Sequence, residues 1–466
     1  KDLLLMQFHD VLPGSSIDAV YDDTKRMYAA LFDFAEKEER SLTERVFCPD
    51  GSDGAVTVFN PNSFPSTAWL PVDRSFRDRA VTDGERVSDV VPDGRGGYVF
   101  LAKDVGGFET RVYRVTAREG AEKKVSLVRT EEGIEADTPF FRFLIANDGT
   151  LRDFYDKRED FVWSQPSGLN RFVCYKDGPE IEDAWNIDKE YKLRPIDLGW
   201  KDEIGITEDN GQRSVVRVTK TNGRTTLAQD IVIYADIARV DFISHIDWQE
   251  KYRILQVSFP VTVESPQASY EIQYGFCTRP THPNTPAERW KHEYAAHRFI
   301  DLSDDVRGAA LLNDCKYGHN VVDSDMIITL FRSTDYPSKF RDIGEHDFAY
   351  SFLPHEGRLS KGGVPQQGYL FNSPMLVMPG EAKTDAPAKV SGGMIIDCVK
   401  PAEDGNGIIV RAYEPFGTSG KAEFRLPKKA RVSEQTPLEE KTADIGETDS
   451  FTIDYRPFEF RTFRIE

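Results

Sequence analysis

After Pro49-Asp50-Gly51 the apolar residues stop recurring every three or four positions and begin to alternate, and no amphipathic stretch of helix length follows. That switch decides the fold class. Alternation sends successive side chains to opposite faces of a strand, whereas a parallel sheet needs helical crossovers between its strands. The chain is therefore expected to be mainly β: a short N-terminal helical segment, then antiparallel β-sandwich domains, one a large super-sandwich and the others smaller. Before the switch, Val20, Met27, Leu31 and Phe34 fall near helical spacing, with Asp22, Asp23, Lys25, Arg26, Glu36 and Lys37 mostly between them. Pro13-Gly14 breaks the chain just ahead, and Asp18 is placed to cap the second helix. Two helices are expected, one ending near Leu12 and one from about Asp18 to Thr43.

The strand signals group along the chain. Val56–Phe59 is cut by the turn Asn60-Pro61-Asn62, and Tyr98–Leu101 and Thr110–Val115 continue the pattern. Phe141–Ile145 alternates cleanly before the hairpin turn Asn147-Asp148-Gly149. Val215–Val218, Asp230–Tyr234, Val240–Ile243 and Leu255–Phe259 follow, and Gly407–Tyr413, Ala422–Leu426 and Phe458–Ile465 close the series. The Pro/Gly-rich span Lys361–Pro387 reads as a connection. The expected units are a helical segment over 1–45, a small β-domain over 46–130, a large super-sandwich over 131–385 and a C-terminal β-domain over 386–466.

Composition narrows the partners. The 466 residues carry 59 basic and 78 acidic side chains, a net charge of −19. That charge repels phosphate backbones and anionic lipid, so neither nucleic acid nor a membrane surface is expected as a partner. No apolar run approaches the ~18 residues of a bilayer span, which reads as a soluble chain. The five cysteines (Cys48, Cys174, Cys277, Cys315, Cys398) are dispersed, odd in number and form no CxxC pair. A reducing compartment, hence the cytoplasm, is the expectation. Lys1 opens the chain without an initiator Met or a leader pattern, as the later part of a longer protein would.

The opening segment holds the most unusual chemistry. Leu3–Phe8 is apolar and ends in the pair His9-Asp10, followed by Pro13-Gly14 and Ser15-Ser16. A histidine beside a carboxylate can ligate a metal or hold a sugar hydroxyl, or it can be an ordinary core histidine bonded to a carbonyl. The run Gln7-Phe8-His9-Asp10-Val11-Leu12-Pro13-Gly14-Ser15-Ser16-Ile17, followed by Val20-Tyr21-Asp22-Asp23, resembles the central motif of glycoside hydrolase family 38, the α-mannosidases. Further stretches resemble that family in its own order: Val58–Pro65, Asp148–Leu151 with Tyr155–Arg158, Asp183–Asp188 (with Asn186 where the family usually has Asp), Asn313–Gly318, and Asp342–His346 on to Pro354-His355.

The resemblance implies the end of a helical middle domain followed by the β-sandwich domains, without the catalytic barrel. It implies a zinc-dependent retaining hydrolysis of terminal α-mannosyl linkages, run by two carboxylates roughly 5 Å apart. It places the nucleophile, the acid/base and three of four zinc ligands upstream of Lys1, so no catalytic residue is expected in this chain. His9 carries over as the remaining zinc ligand and Asp10 as a sugar-binding carboxylate. One protein ligand cannot hold zinc tightly, so the chain alone is expected to be silent. The partners implied are α-mannoside oligosaccharides and the upstream barrel, with a homo-oligomer left open.

Three other side chains are candidates for substrate. Trp185, flanked by Asp183, Asn186 and Asp188, can stack on a sugar face or plug the end of a sandwich, and by resemblance its loop reaches toward the barrel. Arg279 and Arg411 sit near strand ends, where arginines more often make structural ion pairs. Asp342, His346 and His355 read as hydrogen-bonded loop residues, not as a metal site. The adjacent pairs Glu38-Glu39 and Glu131-Glu132 lie in charged stretches and cannot face each other across a pocket. The competing reading is a non-catalytic β-sandwich module that binds carbohydrate or acts as a scaffold.

Overall fold

The computed structural model describes residues 1–47, 54–118, 120, 122–179 and 181–466. Two helices, Asp2–Leu5 and Asp18–Leu42, open the chain, and a single wide turn, Thr43–Phe47, ends the helical segment. The N-cap of the long helix is Ile17, without a side-chain cap, and not Asp18. Asp18 is instead the first helical residue, and its carboxylate is drawn sideways to Ser338 and Arg341.

The small β-unit pairs a five-stranded sheet with a three-stranded one. Val56, Val58, Leu70, Val81, Phe100 and Tyr113 close its core between the two sheets. The strand Leu376–Pro379 returns from far along the chain to pair with Ala55–Phe59. The span Lys361–Pro387 is thus more than a connection: it holds that strand and a helix, Val364–Asn372.

The large unit carries five-, six- and nine-stranded sheets. In the nine-stranded sheet Arg213–Thr221, Thr226–Tyr234, Val240–Trp248 and Gly344–Glu356 pair antiparallel in sequence. Alternation does the sorting here. Phe242, Ile246 and Trp248 are buried on one face while His245 faces water. The strand faces enclose one core cluster that includes Trp163, Phe143, Phe242, Trp248 and Tyr350. Inside it, Gln229 donates to the Tyr350 hydroxyl at 2.7 Å, Tyr350 to Asn170 Oδ1 at 2.8 Å, and Asn170 back to Gln229 Oε1 at 2.7 Å. Each of these polar groups has left water, and the closed ring supplies its hydrogen bonds.

The C-terminal unit is a six-stranded sheet built on the long hairpin Gly420–Gln435 with Lys441–Tyr455. Ser63 joins it to the small unit by accepting from the Ile396 amide at 2.9 Å. Four cysteines, Cys174, Cys277, Cys315 and Cys398, are free, and Cys48 lies outside the described residues. Among the described residues no helix is long and apolar enough to cross a membrane.

Candidate functional site at the helical end

The turn between the first two helices is built around Asp10. Ser15 donates its hydroxyl to Asp10 Oδ1 at 2.9 Å, and the Ser15 amide and Ser16 hydroxyl both reach the Asp10 carbonyl, at 3.1 and 2.5 Å. Gly14 takes a φ of 72°, a left-handed turn that a side chain resists, and its carbonyl accepts the Tyr21 hydroxyl. This lock explains the spacing from Asp10 to Ser16. It leaves His9 pointing outward, its side chain 76% exposed, with Nε2 3.4 Å from Asp10 Oδ2. Within this chain His9 is not enclosed in a core.

A second set of contacts ties this turn to the sandwich. Arg341 donates to Asp18 at 2.9 Å and lies 5.3 Å from the centre of the Tyr21 ring. The Ser338 hydroxyl and then the Arg341 guanidinium hold the Asp18 carboxyl below its ordinary pKa. The same stretch of chain shapes the Trp185 loop. Asp183 is buried, and its two oxygens accept the amides of Asp335 and Tyr336 at 2.7 and 2.9 Å. Arg332 braces the loop by donating to Asp177 at 2.6 Å and to the carbonyls of Asp183 and Asn186 at 3.0 and 2.7 Å. Asp188 pairs with Arg194. The acids flanking Trp185 thus serve the loop itself. Trp185, 51% exposed, stands beside the exposed Tyr336 with ring centres 6.2 Å apart.

The structure links the turn of His9 and Asp10 to the loop of Trp185 through one segment, Arg332–Arg341. Ser338, Arg341 and Tyr336 carry no signal of their own in the sequence, because the residues they meet lie some 150 to 320 positions away. Arg279 and Arg411 stand apart from it. The Arg279 guanidinium lies 5.0 Å from the Tyr294 ring, and Arg411 donates to the Pro437 carbonyl at 2.9 Å. Asp342 and the two histidines are bonded within the fold, but the histidines lie on the strand Gly344–Glu356 and are not the loop residues expected, since both pair in the sheet ladder. Burial pushes the Asp342 carboxyl up, His346 contacts the Asp342 carbonyl at 2.7 Å, and His355 meets Asp301 at 2.7 Å.

Among the described residues no group of three His, Cys, Asp or Glu is placed to hold a metal ion. His9 and Asp10 do not make a zinc site by themselves, since such a site needs three or four protein ligands.

Comparison with known proteins shows which family the chain resembles along its length. The family model for the glycosyl hydrolases family 38 C-terminal domain matches residues 136–340. That for the family's C-terminal beta sandwich domain matches 393–463, and that for the alpha mannosidase middle domain matches 1–42. Alpha-mannosidase G of Dictyostelium discoideum is 26% identical, over all of this chain and 47% of its own length. Alpha-mannosidase 2C1 of Homo sapiens is 35% identical over 53% of this chain and 25% of its own length. The chain spans about half the length, or less, of the curated relatives it matches. A crystal structure of an alpha-mannosidase from Enterococcus faecalis V583 superposes on the whole chain with a TM-score of 0.79 at 18% identity, covering 62% of that chain, which shows a shared fold. The chain belongs to glycoside hydrolase family 38, the α-mannosidases, as the end of the middle domain followed by the C-terminal β-sandwich domains.

Proposed function

We propose that this chain is the C-terminal part of a cytoplasmic, zinc-dependent retaining α-mannosidase that hydrolyses terminal α-mannosyl linkages of oligosaccharides. The nucleophile and the acid/base belong to a catalytic domain upstream. The observation that carries this reading is the helical end of the molecule. No residue of the helix Asp18–Leu42 is buried, and Leu3, Leu4, Leu5, Phe8, Leu12 and Ile17 are all more than half exposed around His9 and Asp10. An apolar patch of that kind marks an interface, and the matched relatives are about twice as long as this chain.

Within that reading His9 completes the zinc site, where the bound ion would help to hold the sugar hydroxyls. Asp10, oriented by Ser15, accepts a sugar hydroxyl, and Trp185 with Tyr336 offers aromatic faces toward the pocket. A free-standing carbohydrate-binding module would leave the patch around His9 without a partner.

The test compares this chain with a protein extended upstream, on an aryl α-mannoside. The extended protein is expected to release mannose with zinc, and the 466-residue chain to release none with or without it. In the extended protein His9→Ala should lower zinc content and reduce kcat by at least about tenfold, because a ligand is lost. Zinc-dependent turnover by the purified chain, or full metal content in the variant, would defeat the reading.

A further inference from the structure

A cavity of about 340 Å³ lies where the small β-unit meets the large sandwich, well apart in sequence from the His9 turn and the Trp185 loop. Its volume is at the low end of the roughly 300–1,000 Å³ of small-molecule sites. Three pieces of structure frame it. Trp69 lies on the strand Ser66–Val72 of the three-stranded sheet, and Tyr113 on the strand Thr110–Thr116 of the five-stranded sheet. The two sheets are fastened at its edge by the Leu101 amide donating to the Ser88 hydroxyl at 2.8 Å. Asp236 of the sandwich closes the third side through Lys103, at 3.3 Å.

Two polar atoms in this lining are poorly satisfied. The Trp69 indole Nε1 and the Tyr113 hydroxyl are both buried without a well-aligned hydrogen bond, although the Arg111 guanidinium lies against the Tyr113 hydroxyl. Tyr113 as a whole is only 3% exposed. Its cationic neighbour, Arg111, directs its donors to Glu109 and to the carbonyls of Lys103 and Asp104. Burial pushes the Tyr113 phenol up to about 12, so it remains a donor at physiological pH. Buried polar atoms are almost always bonded, and two such atoms in one cavity point to an occupant that bonds them.

The chemistry of the walls selects the occupant. Four carboxylates and three cations line the cavity together with the aromatic face of Trp69. Asp83 uses Oδ1 on the amides of Glu85 and Arg86, at 3.0 and 2.8 Å, which leaves Oδ2 with only Arg111 at 3.6 Å. An inorganic anion would be repelled by the carboxylates, and a bare cation by Arg86, Lys103 and Lys124. An apolar ligand would leave the Trp69 indole N–H unbonded, while most of the charged groups are already paired, Asp89 with Arg118, Lys103 with Asp236 and Arg86 with Asp104. A neutral ring of hydroxyl donors and acceptors with one apolar face suits both the unbonded Trp69 N–H and walls whose charges are largely paired.

We propose that this cavity is a binding site for a neutral mono- or disaccharide, with its ring on Trp69 and its hydroxyls bonded by Trp69 Nε1, the Tyr113 hydroxyl and Asp83. The site is separate from the helical end of the molecule and does not rest on the mannosidase reading.

The test follows the indole N–H signals of the six tryptophans by NMR, with Trp69 assigned through Trp69→Phe. Methyl α-D-mannopyranoside and maltose serve as neutral probes and sodium phosphate as the anionic one. At least one sugar is expected to shift the Trp69 signal saturably, and phosphate to leave it in place. Tyr113→Phe and Asp83→Asn, each removing one bond, should weaken that binding about three- to tenfold at unchanged melting temperature. The proposal is overturned if neither sugar moves Trp69, if phosphate moves it equally, if only Trp185 responds, or if Tyr113→Phe binds as tightly as the parent. The Tyr113→Phe arm stands even if Trp69→Phe does not fold.

Discussion

At the residue scale, Trp185 separates the two uses of a tryptophan. Trp163 and Trp248 are fully buried, and truncating such a side chain costs roughly 3–5 kcal/mol of stability. Trp185, half exposed beside Tyr336, has little packing to lose. In the upstream-extended protein Trp185→Ala should lower kcat/KM about five- to tenfold, the loss of a stacking contact of about 1–1.4 kcal/mol, with melting unchanged. A large drop in melting temperature at normal turnover would show a structural tryptophan instead. The sequence singled out Trp185, His9 and Asp10 because rare side chains in a distinctive order stand out in one dimension. It could not single out Arg341 or Tyr336, which are remote from the motif along the chain. Their place depends on Asp183 and Asp18, whose carboxylates find partners some 150 to 320 residues away.

At the element scale, the loop Asn313–Gly318 shows how a recognisable motif can be a structural clamp. Asn313 accepts the Lys316 amide at 2.8 Å and donates to the His297 carbonyl at 2.7 Å. That fixes its amide, so the contact to His319 Nε2 at 3.3 Å is a bond that the histidine accepts. The other ring nitrogen, Nδ1, donates to the Tyr317 carbonyl at 3.0 Å. Both nitrogens are used in the neutral form, and complete burial lowers the His319 pKa to about 4. The unfolded chain takes up a proton near pH 6.5 while the folded one does not, so stability is full above about 6.5 and falls as the pH drops toward 4. The total is about 3 kcal/mol. His319→Asn should flatten that part of a melting-temperature profile, and an unchanged acid slope would contradict the assignment. Other elements escaped the sequence for physical reasons. The helix Val364–Asn372 carries Pro365 in its first turn, where proline is tolerated, and follows Gly363 at φ 61°. Its Val364 packs with Phe299, Leu312 and Leu353 of the sandwich. The strand Lys441–Tyr455 is exposed along most of its length, so it lacks the alternation that announces a strand.

At the scale of the whole molecule, the helical end is the region with the least packing of its own. The helix Asp18–Leu42 is held to the sandwich by Asp18, Asp22 and Tyr21 against Arg341 and Ser338, while Phe32 and Phe34 stay exposed. Its amides should exchange with solvent at least about 100-fold faster in this chain than in a protein extended upstream, because burying that face adds several kcal/mol to local opening. Equal protection in both would remove the case for a covered face. The sequence by itself determined the class of fold, since the period of apolar residues is a local property that each strand expresses without its neighbours. It also determined the position of the helical segment and the family, through motifs that keep their order. Tertiary structure alone decided which strand pairs with which, as with Leu376–Pro379 returning to Ala55–Phe59. It also decided which polar atoms end up without a well-aligned hydrogen bond, as with Trp69 and Tyr113. Those outcomes rest on contacts between residues far apart along the chain, and the free energy that selects them belongs to the packed whole.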